Sequence, residues 1–132
     1  MKAASLKSQM PVVNPSDFHW KPKETLPPGA RAATVHGDPQ KGDYAFFGEF
    51  PANYTVPLHW HTNDCMVVIT RGSMTIRPEN AEPIDIVEGG FFMLPAKFRY
   101  VAHTQKDCIF LVWGREPFDI HYANAKDDPR NK

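Results

Sequence analysis

The chain has 132 residues with 15 Lys and Arg against 15 Asp and Glu, a formal net charge of +0. That length supports one domain whose single core buries roughly two-thirds of the unfolded surface and needs no disulfide staples, and a zero charge supplies no field to hold phosphates or anionic lipid, so neither nucleic acid nor membrane is an expected partner. No apolar run nears the roughly 20 residues of a bilayer span and the first ten residues are polar, so a cytoplasmic protein is expected, with Cys65 and Cys108 as core or reactive thiols.

Thirteen Pro beside 8 Gly argue against long helices and for short strands joined by tight turns. Residues 1–30 carry Pro11, Pro15, Pro22, Pro27, Pro28 and Gly29 without sustained periodicity, and read as an arm lying on the domain, with Phe18 and Trp20 able to share one face of a short edge strand. Apolar runs cut by turn signals about every ten residues follow, the rhythm of a sandwich or barrel. They are Ala32 to Val35, Tyr44 to Phe50, Cys65 to Thr70, Met74 to Arg77, Ile84 to Val87, Phe91 to Leu94, Phe98 to Ala102, Cys108 to Trp113, and the alternating Phe118, Ile120 and Tyr122. About nine strands and no helix are expected. Residues 126–132 are charged and expected to fray.

The segment Pro57-Leu58-His59-Trp60-His61 carries the chemistry. Histidines at i and i+2 on an extended chain point the same way, so both imidazoles can approach one point about 2 Å from each ring nitrogen, as a divalent metal needs. Parity continued along an unbroken strand puts Cys65, Val67 and Ile69 on the same face, and Met66, Val68 and Thr70 on the other. A pocket lined this way is mostly apolar with a few converging polar groups, the common form of a small-molecule site. Trp60, between the two histidines, faces away and packs between sheets or at an interface. His103 is three residues from Tyr100 and reaches the interior only through a bulge. His19, His36 and His121 read as structural or solvated; Arg99, if turned inward, would fork a substrate carboxylate.

These residues resemble the cupin superfamily, specifically small single-domain bacterial cupins. Of the first cupin motif, His59, His61 and Gly72 match, with Cys65 where the family has Glu; of the second, Gly89 and Pro95 match, with Lys97 in place of Gly and Tyr100 in place of His. The stretches Gly37-Asp38-Pro39, Phe50 to Tyr54 and Asp127-Asp128-Pro129 are similar to one subfamily of such cupins. The resemblance implies an all-β, single-domain cupin, a double-stranded β-helix or jelly-roll barrel, with residues 1–30 an arm packing on the barrel or a partner, 31–125 the barrel and 126–132 a charged tail. Metal-binding cupins use three His and one Glu, of which only two are kept here. One reading therefore has a divalent transition metal, Fe, Zn, Mn or Ni, on His59 and His61 with Tyr100 or Cys65 completing the shell; the other has no metal, and acid–base work or ligand binding by His59, His61 and Tyr100. The implied function is a metal-dependent small-molecule enzyme, an oxygenase for preference, with Tyr100 handling the proton; a lyase or isomerase, or a binder without turnover, are the alternatives. In cupin thiol dioxygenases a Cys also replaces that Glu, while the plain reading of Cys65 is a small buried apolar residue. An exposed strip of Phe46, Met66 and Trp113 would favour a homodimer.

Overall fold

In the computed structural model, which describes residues 9–132, the strands in chain order are β1 (Lys21–Pro22), β2 (Arg31–Asp38), β3 (Gly42–Phe50), β4 (Tyr54–Trp60), β5 (Cys65–Arg71), β6 (Met74–Pro78), β7 (Ile84–Ile86), β8 (Phe91–Leu94), β9 (Tyr100–Thr104), β10 (Cys108–Gly114) and β11 (His121–Tyr122). They pair antiparallel in two sheets, β1-β2-β3-β10-β5-β8 and β11-β4-β9-β6-β7. Alternation sets which face is buried: Cys108, Phe110 and Val112 point inward from β10 while Ile109, Leu111 and Trp113 stay half-exposed, and Cys65, Val67 and Ile69 do the same on β5. The second sheet answers with Tyr54, Val56, Met74, Ile76, Tyr100 and Ala102, so the core is the sandwich interior between two sheets.

The double-stranded β-helix expected from the sequence is therefore the architecture, with two strands more than expected. One is β4 itself, which carries the histidine segment; the other is β1, in the arm one residue beyond Trp20. Phe18 and Trp20 do not form the strand: Phe18 stacks on Phe47 at 4.7 Å and Trp20 lies beneath the Arg31 guanidinium. Strand β9 begins at Tyr100 and not Phe98, because Lys97 adopts φ 67° and Phe98 N–H bonds back to the Pro95 carbonyl, closing a turn. Phe46 is inward, so the apolar strip on the outer face of the first sheet comprises Met66 and Trp113 with Met93 and Phe91 instead. Two glycines are fixed by space. At Gly48 a Cβ would stand 2.4 Å from the Phe110 ring that crosses it, and at Gly72, φ +83°, it would meet the Asp107 carbonyl at 2.4 Å in the β5–β6 turn.

The arm and tail close over the barrel through tyrosine and arginine side chains. Tyr54 and Tyr122 donate their hydroxyls to the carbonyls of Pro27 (2.5 Å) and Thr25 (2.6 Å). Residues 125–131 form two short 3-10 turns, and Arg130 Nη2 donates to the Ile120 carbonyl at 2.8 Å. Residues 1–8 of the expected arm lie outside the described residues.

Candidate functional site

The site begins with a defect in β4. Val56 pairs with Ala102, but three residues on, His59 pairs with Tyr100, only two residues back along β9. Pro57 has no N–H to give the ladder, and the extra residue is absorbed there as a bulge. The bulge turns both Val56 and His59 inward although they are an odd number apart, and leaves the Pro57 carbonyl to accept His59 Nδ1–H at 2.7 Å. His59 thus lies between β9 and β11 in the second sheet, with Tyr100 on one flank and Tyr122 on the other, ring centroids 4.2 and 6.1 Å away.

His61 leaves the end of β4 and is held by the segment before β11. Its Nδ1–H donates to the Asp119 carbonyl at 2.5 Å, so Nε2 is the acceptor nitrogen and takes the Tyr100 O–H at 2.8 Å. Asp119 is itself fixed: its carboxylate accepts the Thr62 N–H (2.8 Å) and hydroxyl (2.5 Å) and contacts His121 Nε2 at 3.0 Å. Burial alone would raise that carboxyl, but the hydrogen bonds from Thr62 and His121 bring it below its ordinary value. The result is a fixed chain, Tyr100 O–H to His61 to the Asp119 carbonyl, with the Phe118 ring tilted against His61, centroids 4.8 Å apart.

His59, His61, Tyr100 and Cys65 all line one cavity of about 60 Å³ between the sheets, the rest of its wall being apolar side chains such as Phe46 and Phe110 except for Lys23 and Arg31. That space suits on the order of five waters or a small ligand. Burial dominates its electrostatics. Desolvation, aided by the neighbouring His61, pulls His59 down to about 3 against the opposing pull of the Pro57 carbonyl, and burial lowers His61 as well, so both imidazoles are neutral at physiological pH. Burial lifts the Tyr100 phenol well above its ordinary value and pushes the Cys65 thiol up to about 12, so both stay protonated. Among the described residues His59 Nε2 has no hydrogen-bond partner: a neutral base with a free lone pair faces an apolar space beside a phenol.

Of the residues singled out in the sequence, four meet at this cavity and the others do not. His103 stays on the outer face of β9, its Nδ1 2.8 Å from the Thr55 hydroxyl. His121 is exposed and stacks on Trp60, which faces away from the cavity. Arg99 lies outside as well, its Nε 3.1 Å from Glu79 Oε1 and its guanidinium over Trp60, so it forks no ligand in the cavity. Asp119 and Lys23 join the site as well, beside Phe118 of the alternating last run. Asp119 acts through a backbone carbonyl, which every residue has, and Lys23 comes from an arm without periodicity; neither leaves a sequence signal.

A resident metal does not fit these donors. Among the described residues no three His, Cys, Asp or Glu side chains gather as a metal shell needs. The nitrogen His61 would offer is already the acceptor for Tyr100.

No helix among the described residues is long and apolar enough to cross a membrane. No curated protein matches the chain in sequence. In structure it is similar to the polyketide cyclase RemF from Streptomyces resistomycificus, with a TM-score of 0.77 and 17% identity over 91% of this chain and 89% of that one. An RmlC-like cupin protein from Ralstonia eutropha JMP134 aligns with a TM-score of 0.69 and 20% identity over 89% and 74% of the two chains, and KdgF from Halomonas sp. with 0.62 and 19% over 78% and 94%. At such identities the likeness carries the fold and not the reaction. Residues 2–121 match the model of a family described as a domain of unknown function, DUF4437. The barrel is thus a cupin fold, and the chain belongs to the DUF4437 family.

Proposed function

We propose that this protein is a small-molecule enzyme that moves protons within the barrel cavity, without redox change, as an isomerase, lyase or cyclase of carbonyl compounds does. The observation that carries the reading is the unpartnered Nε2 of neutral, buried His59 beside the Tyr100 hydroxyl, itself backed by His61 and the Asp119 carbonyl. His59 Nε2 takes a proton from the carbon next to a substrate carbonyl, and the C–H electron pair moves into the enolate. Tyr100 O–H turns from His61 to the developing enolate oxygen, a donor placed where charge appears in a water-poor site. Return of the proton from His59 to another carbon gives an isomer; attack of the enolate carbon on a second carbonyl of the same molecule, with that oxygen protonated, closes a ring. A polyketide cyclase is built on the same fold, which supports the second outcome as one this barrel can house.

The test is proton exchange from solvent deuterium into the methylene of small 1,3-dicarbonyl compounds, followed by NMR against the buffer rate. Acceleration by the protein, lost in His59→Gln and reduced at least tenfold in Tyr100→Phe, is expected. Binding of such compounds with no acceleration would leave a non-catalytic binding protein. The oxygenase implied by the sequence resemblance takes second place, because it needs an ion that this donor set does not fit.

A further inference from the structure

The cavity also has a cation in its wall. Lys23 follows β1 in the arm and lines the same space as His59, His61 and Tyr100, its Nζ 5.3 Å from the ring centroid of Phe46 and 5.4 Å from that of Phe118. The loop that delivers it is pinned: Lys23 N–H bonds the Ala30 carbonyl, Leu26 N–H bonds the Lys23 carbonyl, and Tyr122 and Tyr54 hold the carbonyls of Thr25 and Pro27. Arg31, the other basic residue in the wall, is neutralised by Glu49 and covered by Trp20. Lys23 is not neutralised. Among the described residues its ammonium has neither a carboxylate nor a hydrogen-bond partner.

A lysine free to swing into water would leave no question, but this one is drawn over two aromatic faces in an otherwise apolar cavity. The rings compensate part of its lost hydration. The remainder is a standing cost that burial expresses by lowering its pKa, and its charge reaches far enough to depress His61 as well. A bound anion would offset that cost, and the tight aromatic seat favours a group small enough to meet the ammonium directly.

We infer that Lys23 is the anchor for a carboxylate, and that the ligands of this cavity are small carbonyl acids rather than neutral ketones. A β-keto acid meets all three demands: its carboxylate at Lys23, its keto oxygen at Tyr100, its acidic methylene at His59. The assignment of the two reacting ends rests on the proton-transfer reading above; the anchor itself needs no turnover.

Acetoacetate and acetylacetone test this, since they share a skeleton with the same number of non-hydrogen atoms and differ in one carboxylate for one acetyl group. Titration calorimetry on the full chain is expected to show acetoacetate binding about tenfold or more tighter than acetylacetone, the ratio falling to near one in Lys23→Met and Lys23→Gln and surviving in Lys23→Arg, which keeps the charge. Equal binding of the two by the wild type, no binding of acetoacetate, or a preference unchanged in both neutral variants overturns the anchor. Methylene exchange read in the same samples separates the two proposals. A charge preference without exchange removes the proton-transfer reading alone, and exchange without a charge preference removes the anchor alone.

Discussion

Burying His59 as a neutral base has a consequence for stability that can be worked through. Its folded pKa is pulled down to about 3 from 6.5, chiefly by desolvation. For a base whose folded pKa is depressed, the unfolded chain binds more protons at every pH between the two values, so stability falls as the pH drops below about 6.5 and the loss ends near 3. Between about pH 7.5 and pH 5 the unfolded imidazole gains its proton while the folded one stays neutral, which costs about 2 kcal/mol from this one side chain, or about 7 °C in Tm for a chain of this size. His61 is lowered for the same reason and adds in the same direction. The clean quantity is therefore a difference between the wild type and a variant that lacks this imidazole. Urea unfolding followed by tryptophan fluorescence, on wild type and His59→Phe at both pH values, isolates it: the wild type should lose about 2 kcal/mol more than the variant on acidification. Equal losses would mean that His59 takes up its proton in the folded barrel by pH 5, and the strong desolvation argued for this cavity would fall with that result.

Other outcomes follow from the same geometry. Tyr100→Phe strands the buried His61 Nε2 acceptor and should cost about 1–3 kcal/mol in chemical denaturation. Lys97→Gly should stabilise by about 0.5–1 kcal/mol, because Lys97 holds φ 67° on an exposed turn while its N–H bond to the His61 carbonyl needs no side chain; no gain in a urea midpoint would refute the strain. Elemental analysis of purified protein should find far less than one equivalent of metal, and chelation should leave Tm unchanged; near-stoichiometric Fe, Zn, Mn or Ni, lost in a His59→Ala and His61→Ala double variant, would restore the oxygenase. The outer rows Trp113–Met66–Met93 and Leu111–Val68–Phe91 end on β8, an edge strand, with Phe91 and Met93 exposed. They fit a second copy of the chain, so sedimentation should show a dimer that Phe91→Glu with Met93→Glu dissociates.

Alternation and turn residues were enough to mark most of the barrel, because a strand with one face in a core repeats every two residues wherever it sits. Cys65, Val67 and Ile69 do face the same interior as the histidines, but from β5 of the opposite sheet and not along one unbroken strand, so parity carried across the 61–64 turn is not the reason; His103 lies outside. Where the period breaks, reading along the chain stops. Nothing local announces that Pro57 opens a bulge, which turns His59 back inward, and Phe46 and Phe47 differ by one residue and by which side of the sheet they serve. The spacing of His59 and His61 likewise allowed a metal or an acid–base pair. Only the tertiary structure brings the Tyr100 hydroxyl to one imidazole, a backbone carbonyl from residue 119 behind it, and an arm lysine into the wall, the arrangement on which the proposed acid–base reading rests. Which protons these groups hold depends on how much water the assembled sheets exclude, and that is a property of the closed barrel, absent from any stretch of the chain read alone.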